Sequence, residues 1–212
     1  IELDDRLPPI LAETLAEFQN FTLISGDAMT LDLPALLEEH FAGMPVVVCA
    51  NLPYYITSPI IMRLLEEPLP IRSLTVMVQK EAAQRITAAP GKRECGAISA
   101  AVWYYSTPRL LFAVSRGSFM PAPAVDSAVI RLDIPTELPP DMPPREDFFA
   151  VVRAGFGQRR KTMLNSLAAG LRWEKERVRA VLAAAEIAES ARAEQITLEQ
   201  WKTLANCYGR MK

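Results

Sequence analysis

Short apolar runs alternate with segments of helical periodicity over the first half of the chain, and this alternation constrains the fold most strongly. The run Pro45–Ala50 is continuously apolar, as expected of a strand buried on both faces of a parallel sheet. Leu74–Val78 is a second such strand, while Leu33–Phe41 and Lys80–Ala88 have the spacing of helices. Strands and helices in alternation predict βαβ units, and therefore an α/β sheet with helices on both faces.

Three further segments fit the same order. Apolar residues recur at helical spacing over Leu7–Phe18, and Phe21–Ile24 is a short apolar run typical of a strand. Glu2 is expected at the end of an earlier strand. Ser58–Leu65 is predicted to be a helix, with Ser58 as its cap and Pro59 at its first position.

The pattern changes in the second half of the chain. Leu110–Val114 and Val125–Leu132 are strand-like and predict an antiparallel pair at one edge of the sheet. Five prolines lie within residues 135–144. Because proline is incompatible with a helix interior or a central strand, this segment is predicted to be a linker. We therefore expect an α/β domain over residues 1–134 and a small all-α domain over residues 145–212. The predicted helices of this second domain are Phe148–Phe156, Thr162–Leu171, Glu174–Ala185 and Leu198–Tyr208.

The two predicted domains differ in charge. Residues 1–135 hold ten Lys and Arg against fifteen Asp and Glu, whereas residues 136–212 hold thirteen against ten. The net charges of −5 and +3 favour the second domain as the one that meets a polyanion, although +3 over 77 residues is also ordinary scatter.

Cysteine, histidine and hydropathy exclude several classes of protein. Cys49, Cys95 and Cys207 form no C-x-x-C pair, so reduced thiols in a cytoplasmic protein are expected, without a disulfide framework or zinc site. His40 is the single histidine, which argues against most metal sites and against a histidine base. No apolar run approaches the roughly 20 residues of a membrane-spanning helix.

The segment from Asn51 to Pro59 (NLPYYITSP) directly follows the apolar strand Pro45–Ala50. Ligands of open α/β sheets bind at the carboxyl ends of the strands, so this segment lies where a site is expected. An Asn-x-Pro turn followed by two core tyrosines is the structural alternative, and it remains open for Tyr55.

The segment resembles the signature of the KsgA family, the small-subunit (16S) rRNA adenine N6,N6-dimethyltransferases, which has Asn-Leu-Pro-Tyr at this point. Further matches follow in the order of the family, and together they cover the whole chain. They are Glu2 at a strand end, Gly26-Asp27-Ala28, the F-x-P-x-P-x-V-x-S segment Phe119–Ser127, and Gln158-Arg159-Arg160-Lys161-Thr162 followed by Asn165-Ser166-Leu167.

The resemblance implies a Rossmann-like class I methyltransferase sheet, mostly parallel with an antiparallel edge strand, that transfers methyl groups to the N6 amine of adenosine. The side-chain oxygen of Asn51 and the carbonyl of Leu52 would accept the two amine hydrogens, with Pro53 shaping the turn. The flipped base would stack on Tyr54 and on Phe119. Because the leaving group is a neutral thioether, this chemistry requires no metal.

The same resemblance implies S-adenosylmethionine as the cofactor. Glu2 would accept the ribose hydroxyls, Asp27 would accept the adenine amine with Ala28 beside it, and Asn51 would also contact the cofactor. The glycine-rich loop of the family is expected just before Ile1, so the methyltransferase domain is expected to be N-terminally truncated. Residues 1–212 alone are accordingly expected to bind the cofactor poorly.

Ribosomal RNA of the small subunit is the implied partner, bound by a protein expected to be monomeric. Arg159, Arg160 and Lys161 would contact phosphates at a helix start in the second domain. A second basic cluster, Arg172, Lys175, Arg177 and Arg179, is equally well interpreted as a solvated helix face.

Two other functions remain possible at this point. One is methylation of large-subunit RNA, as in the erythromycin-resistance enzymes, which resemble the chain around Asn51. The other is a non-catalytic RNA-binding assembly factor on a methyltransferase fold. A DNA adenine methyltransferase is disfavoured, because the sequence contains no separate target-recognition domain.

Overall fold

The computed structural model describes residues 1–158 and 160–212. The chain forms two compact units, one made of Ile1–Val46 and Tyr55–Ile71, the other of Val47–Tyr54 and Arg72–Lys212. The predicted domain boundary over residues 135–144 lies within the second unit and stays a prediction. No helix in the described part of the chain is long and apolar enough to cross a membrane.

A four-stranded sheet organises the second unit, with the strand order β1-β2-β4-β3. The backbone N–H of Leu52 donates to the carbonyl of Met77 (3.1 Å), and that of Val46 donates to Pro70 (3.2 Å). Because the partners advance together along the chain, β1 and β2 are parallel. The strands are β1 (Val46–Asn51), β2 (Ile71–Gln79), β3 (Thr107–Val114) and β4 (Ser127–Asp133).

The register brings several chain segments to one edge of the sheet. Ser127, the first residue of β4, pairs with Gln79 at the end of β2 and with Val114 at the end of β3. Both pairings are antiparallel, so the predicted antiparallel edge pair is confirmed and a second antiparallel pair lies beside it. Asn51 ends β1, and its neighbour Leu52 bonds to β2 two residues before Gln79. The loops after β1, β2 and β3 therefore lie together, at the carboxyl ends of these three strands.

The first unit holds three helices and a short parallel bridge between Glu2 and Ser25. Arg63 holds the loop between Ser25 and Leu33, because its guanidinium donates to the carbonyls of Ala28 (2.5 Å) and Leu31 (2.6 Å). The same guanidinium forms an ion pair with Glu67 at 2.6 Å. The helices are α1 (Pro8–Thr14), α2 (Leu33–Phe41) and α3 (Thr57–Glu66).

Four predictions about this unit were wrong in detail. The helical pattern over Leu7–Phe18 predicted a longer helix than α1, which spans Pro8–Thr14. The segment Phe21–Ile24 forms no strand, since only Ser25 makes a bridge. Glu2 likewise ends no strand and belongs to the bridge alone. Helix α3 begins at Thr57 with Ile56 as its cap, so Ser58 lies inside the first turn and Pro59 is its third residue. Short apolar runs and helix starts are the features that sequence patterns fix least well.

Six helices belong to the second unit, and one of them was not predicted. The helix over Ala97–Tyr105 is almost entirely apolar, and Ala100, Val102 and Tyr104 are buried. A helix buried on most sides has no polar face, so it lacks the periodicity by which amphipathic helices are recognised. The helices are α4 (Lys80–Thr87), α5 (Ala97–Tyr105), α6 (Arg145–Phe156), α7 (Met163–Leu171), α8 (Lys175–Ala184) and α9 (Leu198–Met211).

The proline-rich segment contacts the helices on either side of it. The hydroxyl of Tyr104 in α5 donates to the carbonyl of Pro143 at 2.9 Å, and this bond is buried. The Tyr104 ring also lies 4.7 Å from that of Phe148 in α6, between ring centroids. Pro144 caps α6, because its carbonyl accepts from the N–H of Phe148. The segment is thus ordered by packing although its prolines exclude regular structure.

Two glycines allow α6 to approach its neighbours closely. A Cβ at Gly155 would lie 2.5 Å from the ring of Trp201, and a Cβ at Gly170 would lie 2.6 Å from the Cα of Ala154. Trp201, on α9, is fully buried, and its ring stacks on Phe156 with 5.6 Å between centroids. The helical region therefore packs closely because Gly155 leaves room for the Trp201 ring and Gly170 leaves room for the backbone of α6.

The three cysteines are free and differ in exposure, which gives a testable difference in reactivity. Burial raises the pKa of the Cys95 thiol, and only the thiolate is nucleophilic. We expect iodoacetamide at pH 8 to modify Cys95 much more slowly in the native protein than in urea, and more slowly than half-buried Cys207. Peptide mass spectrometry over a time course measures both rates. Equal rates for Cys95 and Cys207 in the native protein would contradict this account.

Candidate functional site

The loop after β1 presents the predicted catalytic residues at the edge of the sheet. Asn51 ends β1 with its side chain exposed, whereas Leu52 is buried and its N–H bonds to Met77 of β2. Pro53 follows with an exposed ring. The buried Leu52 holds the peptide of the loop, so the Asn51 side chain is displayed from a fixed backbone.

A hydrogen bond joins two of the predicted motif segments. The hydroxyls of half-buried Tyr54 and of fully buried Ser127 lie 2.7 Å apart. Tyr54 belongs to the Asn51 loop, and Ser127 ends the Phe119–Ser127 segment. Tyr55 is 81% exposed, so the interpretation of this tyrosine as a core residue was wrong.

Phe119 lies in the connection between β3 and β4. A short 3-10 turn over Arg116–Ser118 precedes it, capped by the hydroxyl of Ser115, which accepts from the N–H of Gly117 (3.3 Å). The backbone of Phe119 is extended and its ring is half-buried. Stacking of this ring on a base stays a prediction.

Asp126 joins the two ends of the connection between β3 and β4 and links this connection to the start of α4. Its Oδ1 accepts from the N–H of Arg116 at 3.0 Å, and its carbonyl accepts from the N–H of Lys80 at 3.0 Å. A cavity of about 480 Å³ opens beside these bonds. Its lining comes from the end of β2, the start of α4 and the β3–β4 connection: Gln79, Lys80, Glu81, Arg116, Ala124, Val125 and Asp126.

Three of the cavity residues, Ala124, Val125 and Asp126, lie in the Phe119–Ser127 motif, whereas Gln79, Lys80, Glu81 and Arg116 belong to no predicted site. Gln79 and Lys80 directly follow an apolar strand, which is the position that the sheet-edge rule marks for a ligand site. Arg116 lies three residues before the Phe119–Ser127 motif, and Asp126 lies within it. Their position next to a strand end was therefore available as an indication before the structure was known.

The predicted cofactor residues lie together in the first unit. Glu2 and Ser25 form the parallel bridge, and the N–H of Gly26 donates to the carbonyl of Glu2 at 2.9 Å. One carboxylate oxygen of Glu2 accepts from the N–H of Asp4 (2.8 Å), and one of Asp27 accepts from the N–H of Met29 (2.8 Å). Each carboxylate is held by its own loop through one oxygen, and the other oxygen is suited to a hydroxyl or amine. These hydrogen-bond acceptors suit the hydroxyls of a sugar and the amine of a base.

The predicted RNA-binding residues lie between α6 and α7. Arg160 and Lys161 are exposed, and the N–H of Lys161 donates to the carbonyl of Gln158 at 2.9 Å. Thr162 caps α7, so both cations lie in the turn before the helix and not in its first turn. Arg159 lies outside the described residues.

The second basic cluster is partly neutralised. Arg179 forms ion pairs with Glu176 (2.9 Å) and Glu189 (3.2 Å). The guanidinium of Arg177 lies 3.9 Å from the centroid of the Trp173 ring. Arg172 ends α7 with φ of 56°, and both it and Lys175 are exposed. Paired charges on a helix face favour the solvated interpretation for Arg179.

The Tyr54–Ser127 bond can be tested from both ends. We expect Tyr54→Phe and Ser127→Ala each to lower methylation several-fold, because loss of one buried hydrogen bond costs about 0.5–1.5 kcal/mol. The double variant should be little worse than either single variant, since all three lack the same bond. Initial rates at saturating RNA measure the effect. Additive losses would show that the two hydroxyls act independently.

The fold and the loop after β1 define a methyltransferase of the Rossmann-like class. A family model described as "Ribosomal RNA adenine dimethylase" matches residues 1–209. The chain belongs to this family of enzymes. Its membership also confirms the family resemblance that the sequence motifs indicated.

Curated relatives match nearly the whole chain. The "Ribosomal RNA small subunit methyltransferase A" of Alkaliphilus oremlandii (strain OhILAs) is 50% identical over 208 residues, which cover 97% of this chain and 72% of that protein. The protein of the same name from Clostridioides difficile (strain 630) is 42% identical over 206 residues, covering 97% of this chain and 71% of that protein.

Two solved structures share the fold. The 23S rRNA methyltransferase ErmE superposes with a TM-score of 0.74 at 26% identity, covering 98% of this chain and 80% of that chain. A dimethyladenosine transferase from Plasmodium falciparum superposes with a TM-score of 0.73 at 22% identity, covering 95% of this chain and 78% of that chain. The second likeness bears on the fold alone.

Proposed function

We propose that the protein transfers methyl groups from S-adenosylmethionine to the N6 amine of adenosines in small-subunit ribosomal RNA. Two adjacent adenosines near the 3′ end of the RNA are the proposed targets, dimethylated during ribosome assembly. Eight relatives at 40–50% identity are named as small-subunit methyltransferases, which favours this substrate over large-subunit RNA.

The hydrogen bond between Tyr54 and Ser127 is the observation that carries the proposal. It ties the Asn51–Tyr54 loop to the Phe119–Ser127 segment at 2.7 Å. The two segments are 73 residues apart in the chain, and each was predicted to contact the target base. Their direct connection at the open edge of the sheet supports one shared binding site for that base.

Asn51 and Leu52 would activate the amine by orienting it. The lone pair of the adenine N6 amine is delocalised into the ring, so the nitrogen is a poor nucleophile. Accepting both amine hydrogens, at the Asn51 side-chain oxygen and the Leu52 carbonyl, favours a pyramidal nitrogen. The bond from the Leu52 N–H to Met77 holds that peptide in place before the base arrives. Such preorganisation is a principal source of rate acceleration.

Tyr54 and Phe119 would hold the flipped base by stacking, at about 1–3 kcal/mol for each ring. Glu2 would accept from ribose hydroxyls, and Asp27, beside Ala28, from an adenine amine of the cofactor. Bound S-adenosylmethionine would supply the methyl group from its sulfonium, with the demethylated neutral thioether as the leaving group. The residues assigned here need no metal ion for their roles.

The helical region would dock the RNA. Arg160 and Lys161 are exposed cations in a turn, suited to backbone phosphates, and Arg159 is proposed to join them. Recognition of this kind depends on RNA shape and on salt. A monomer acting in the cytoplasm is proposed on the basis of the sequence analysis.

The experiment is mass spectrometry of ribosomal RNA after incubation with the full-length protein and S-adenosylmethionine. Small subunits that lack the modification are the substrate, and large-subunit RNA is assayed in parallel. We expect dimethyladenosine near the 3′ end of the small-subunit RNA, dependent on intact Asn51. Modification of large-subunit RNA alone would point to a resistance-type enzyme, and RNA binding without modification to an assembly factor.

A further inference from the structure

We propose that the cavity beside Asp126 binds the nucleotide next to the target adenosine, with Lys80 and Arg116 contacting its phosphate. This inference rests on the proposed function, because it assumes an RNA substrate whose target base enters the Asn51 site. It adds a second nucleotide-binding position that fixes which adenosine is presented. Selection through flanking nucleotides is a general way for base-modifying enzymes to choose a target.

The cavity adjoins the proposed base site through the sheet. Gln79 lines the cavity and pairs with Ser127, whose hydroxyl bonds to Tyr54. One residue further on, the N–H of Lys80 donates to the carbonyl of Asp126. Adjacent ladder positions thus belong to the base site and to the cavity. A nucleotide next to the flipped adenosine in the RNA would therefore meet the cavity.

The size of the cavity fits a nucleotide better than a lone ion. Pockets for small organic ligands occupy about 300–1,000 Å³, and this cavity measures about 480 Å³. Its backbone is ordered, since Asp126 bonds to both Arg116 and Lys80. A preformed cavity of this volume accommodates a base and its phosphate together.

The charges of the lining match the two parts of a nucleotide. Lys80 and Arg116 are exposed, and neither forms an ion pair within residues 1–158 and 160–212. The guanidinium of Arg116 makes only a long contact, 3.5 Å, to the carbonyl of Ala124. Both cations are therefore available to a phosphate. Glu81 and the amide of Gln79 supply acceptors for the amino edge of a base.

The test measures RNA affinity separately from catalysis. Lys80→Ala and Arg116→Ala are compared with wild type by fluorescence anisotropy, using a hairpin RNA that contains the target adenosines and no methyl donor. We expect Kd to rise about tenfold for each variant and the slope of log Kd against log salt to fall by about 1. Arg93→Ala is the matched control, because Arg93 is exposed and does not line the cavity.

A modified RNA locates the contact. In this RNA the phosphate beside the target adenosine is replaced by an uncharged methylphosphonate. Wild type should lose about tenfold in affinity for it, whereas the Lys80→Ala, Arg116→Ala double variant should lose nothing further. Lys80→Gln and Arg116→Gln remove the positive charge but keep a polar side chain, and thermal melting shows whether each variant is folded.

The outcomes separate this inference from the proposed function. Equal RNA affinity and an equal salt slope for wild type and folded variants would overturn the inference. Absence of methylation by wild type would overturn the proposed function, while the anisotropy measurement still decides whether the cavity binds RNA.

Discussion

Replacing Asn51 with alanine is expected to lower the rate of methylation by about 10²–10³-fold, the usual effect of removing one preorganised polar group from a transition state. The Asn51 oxygen would act on the amine only as the nitrogen becomes pyramidal, so kcat should fall while KM for RNA changes little. Single-turnover rates with small-subunit RNA measure the effect. Because Asn51 is exposed at the end of β1, its loss should leave the melting temperature unchanged.

Two variants make this prediction specific. Asn51→Asp keeps the oxygen acceptors and the side-chain length, and should retain more activity than Asn51→Ala. Asn206→Ala makes the same chemical change on an exposed position of α9 and should behave as wild type. A fall in RNA affinity for Asn51→Ala, with kcat unchanged, would assign this residue to binding alone.

Replacing Trp201 with alanine should produce the largest loss of stability, about 3–5 kcal/mol. The indole is fully buried, stacks on Phe156, and fills the space that Gly155 leaves open. Neighbouring helices cannot collapse into a cavity of that size without moving their backbones. Urea unfolding followed by circular dichroism gives the change in free energy. Domains of this size have about 5–15 kcal/mol in total, so the variant should remain folded only in mild conditions.

Trp173→Ala is the matched control, since it removes the same side chain from a half-exposed position. Its ring contacts Tyr208 and Arg177, and the loss of these contacts should cost about 1–2 kcal/mol. Equal losses for the two variants would mean that burial of Trp201 does not determine the stability of the helical region.

Sequence patterns predicted the elements whose polar and apolar sides are clearly separated. The bounds of α2 were predicted as observed, and those of α7 and α8 to within one residue. Helix α5 was missed because burial on most of its surface removes the polar face. The apolar run at residues 21–24 has the composition of a strand, yet a strand also requires a partner along its length, which short-range patterns do not contain.

The candidate site was predictable where its residues form motifs and unpredictable where they depend on register. Asn51 and Tyr54 are recognisable from nine consecutive residues that follow a strand. The cavity is different, because Lys80, Arg116 and Asp126 meet only when β2 and β3 pair with β4 in one particular alignment. A shift of one residue in that alignment would separate them.

The contacts of Tyr104 have a consequence for the shape of RNA that the proposed binding residues would accept. Its hydroxyl bonds to Pro143 and its ring packs on Phe148, so α5 contacts both the proline-rich segment and helix α6. These contacts would hold the proposed RNA-binding cations, Arg160 and Lys161, at a set spacing from the proposed base site at Asn51 before RNA binds. The second unit would then match only RNA in which the phosphates and the target base have the same spacing. An RNA whose phosphates and target base are spaced differently would contact only one of these two sites, so the spacing would select for RNA shape and not for sequence.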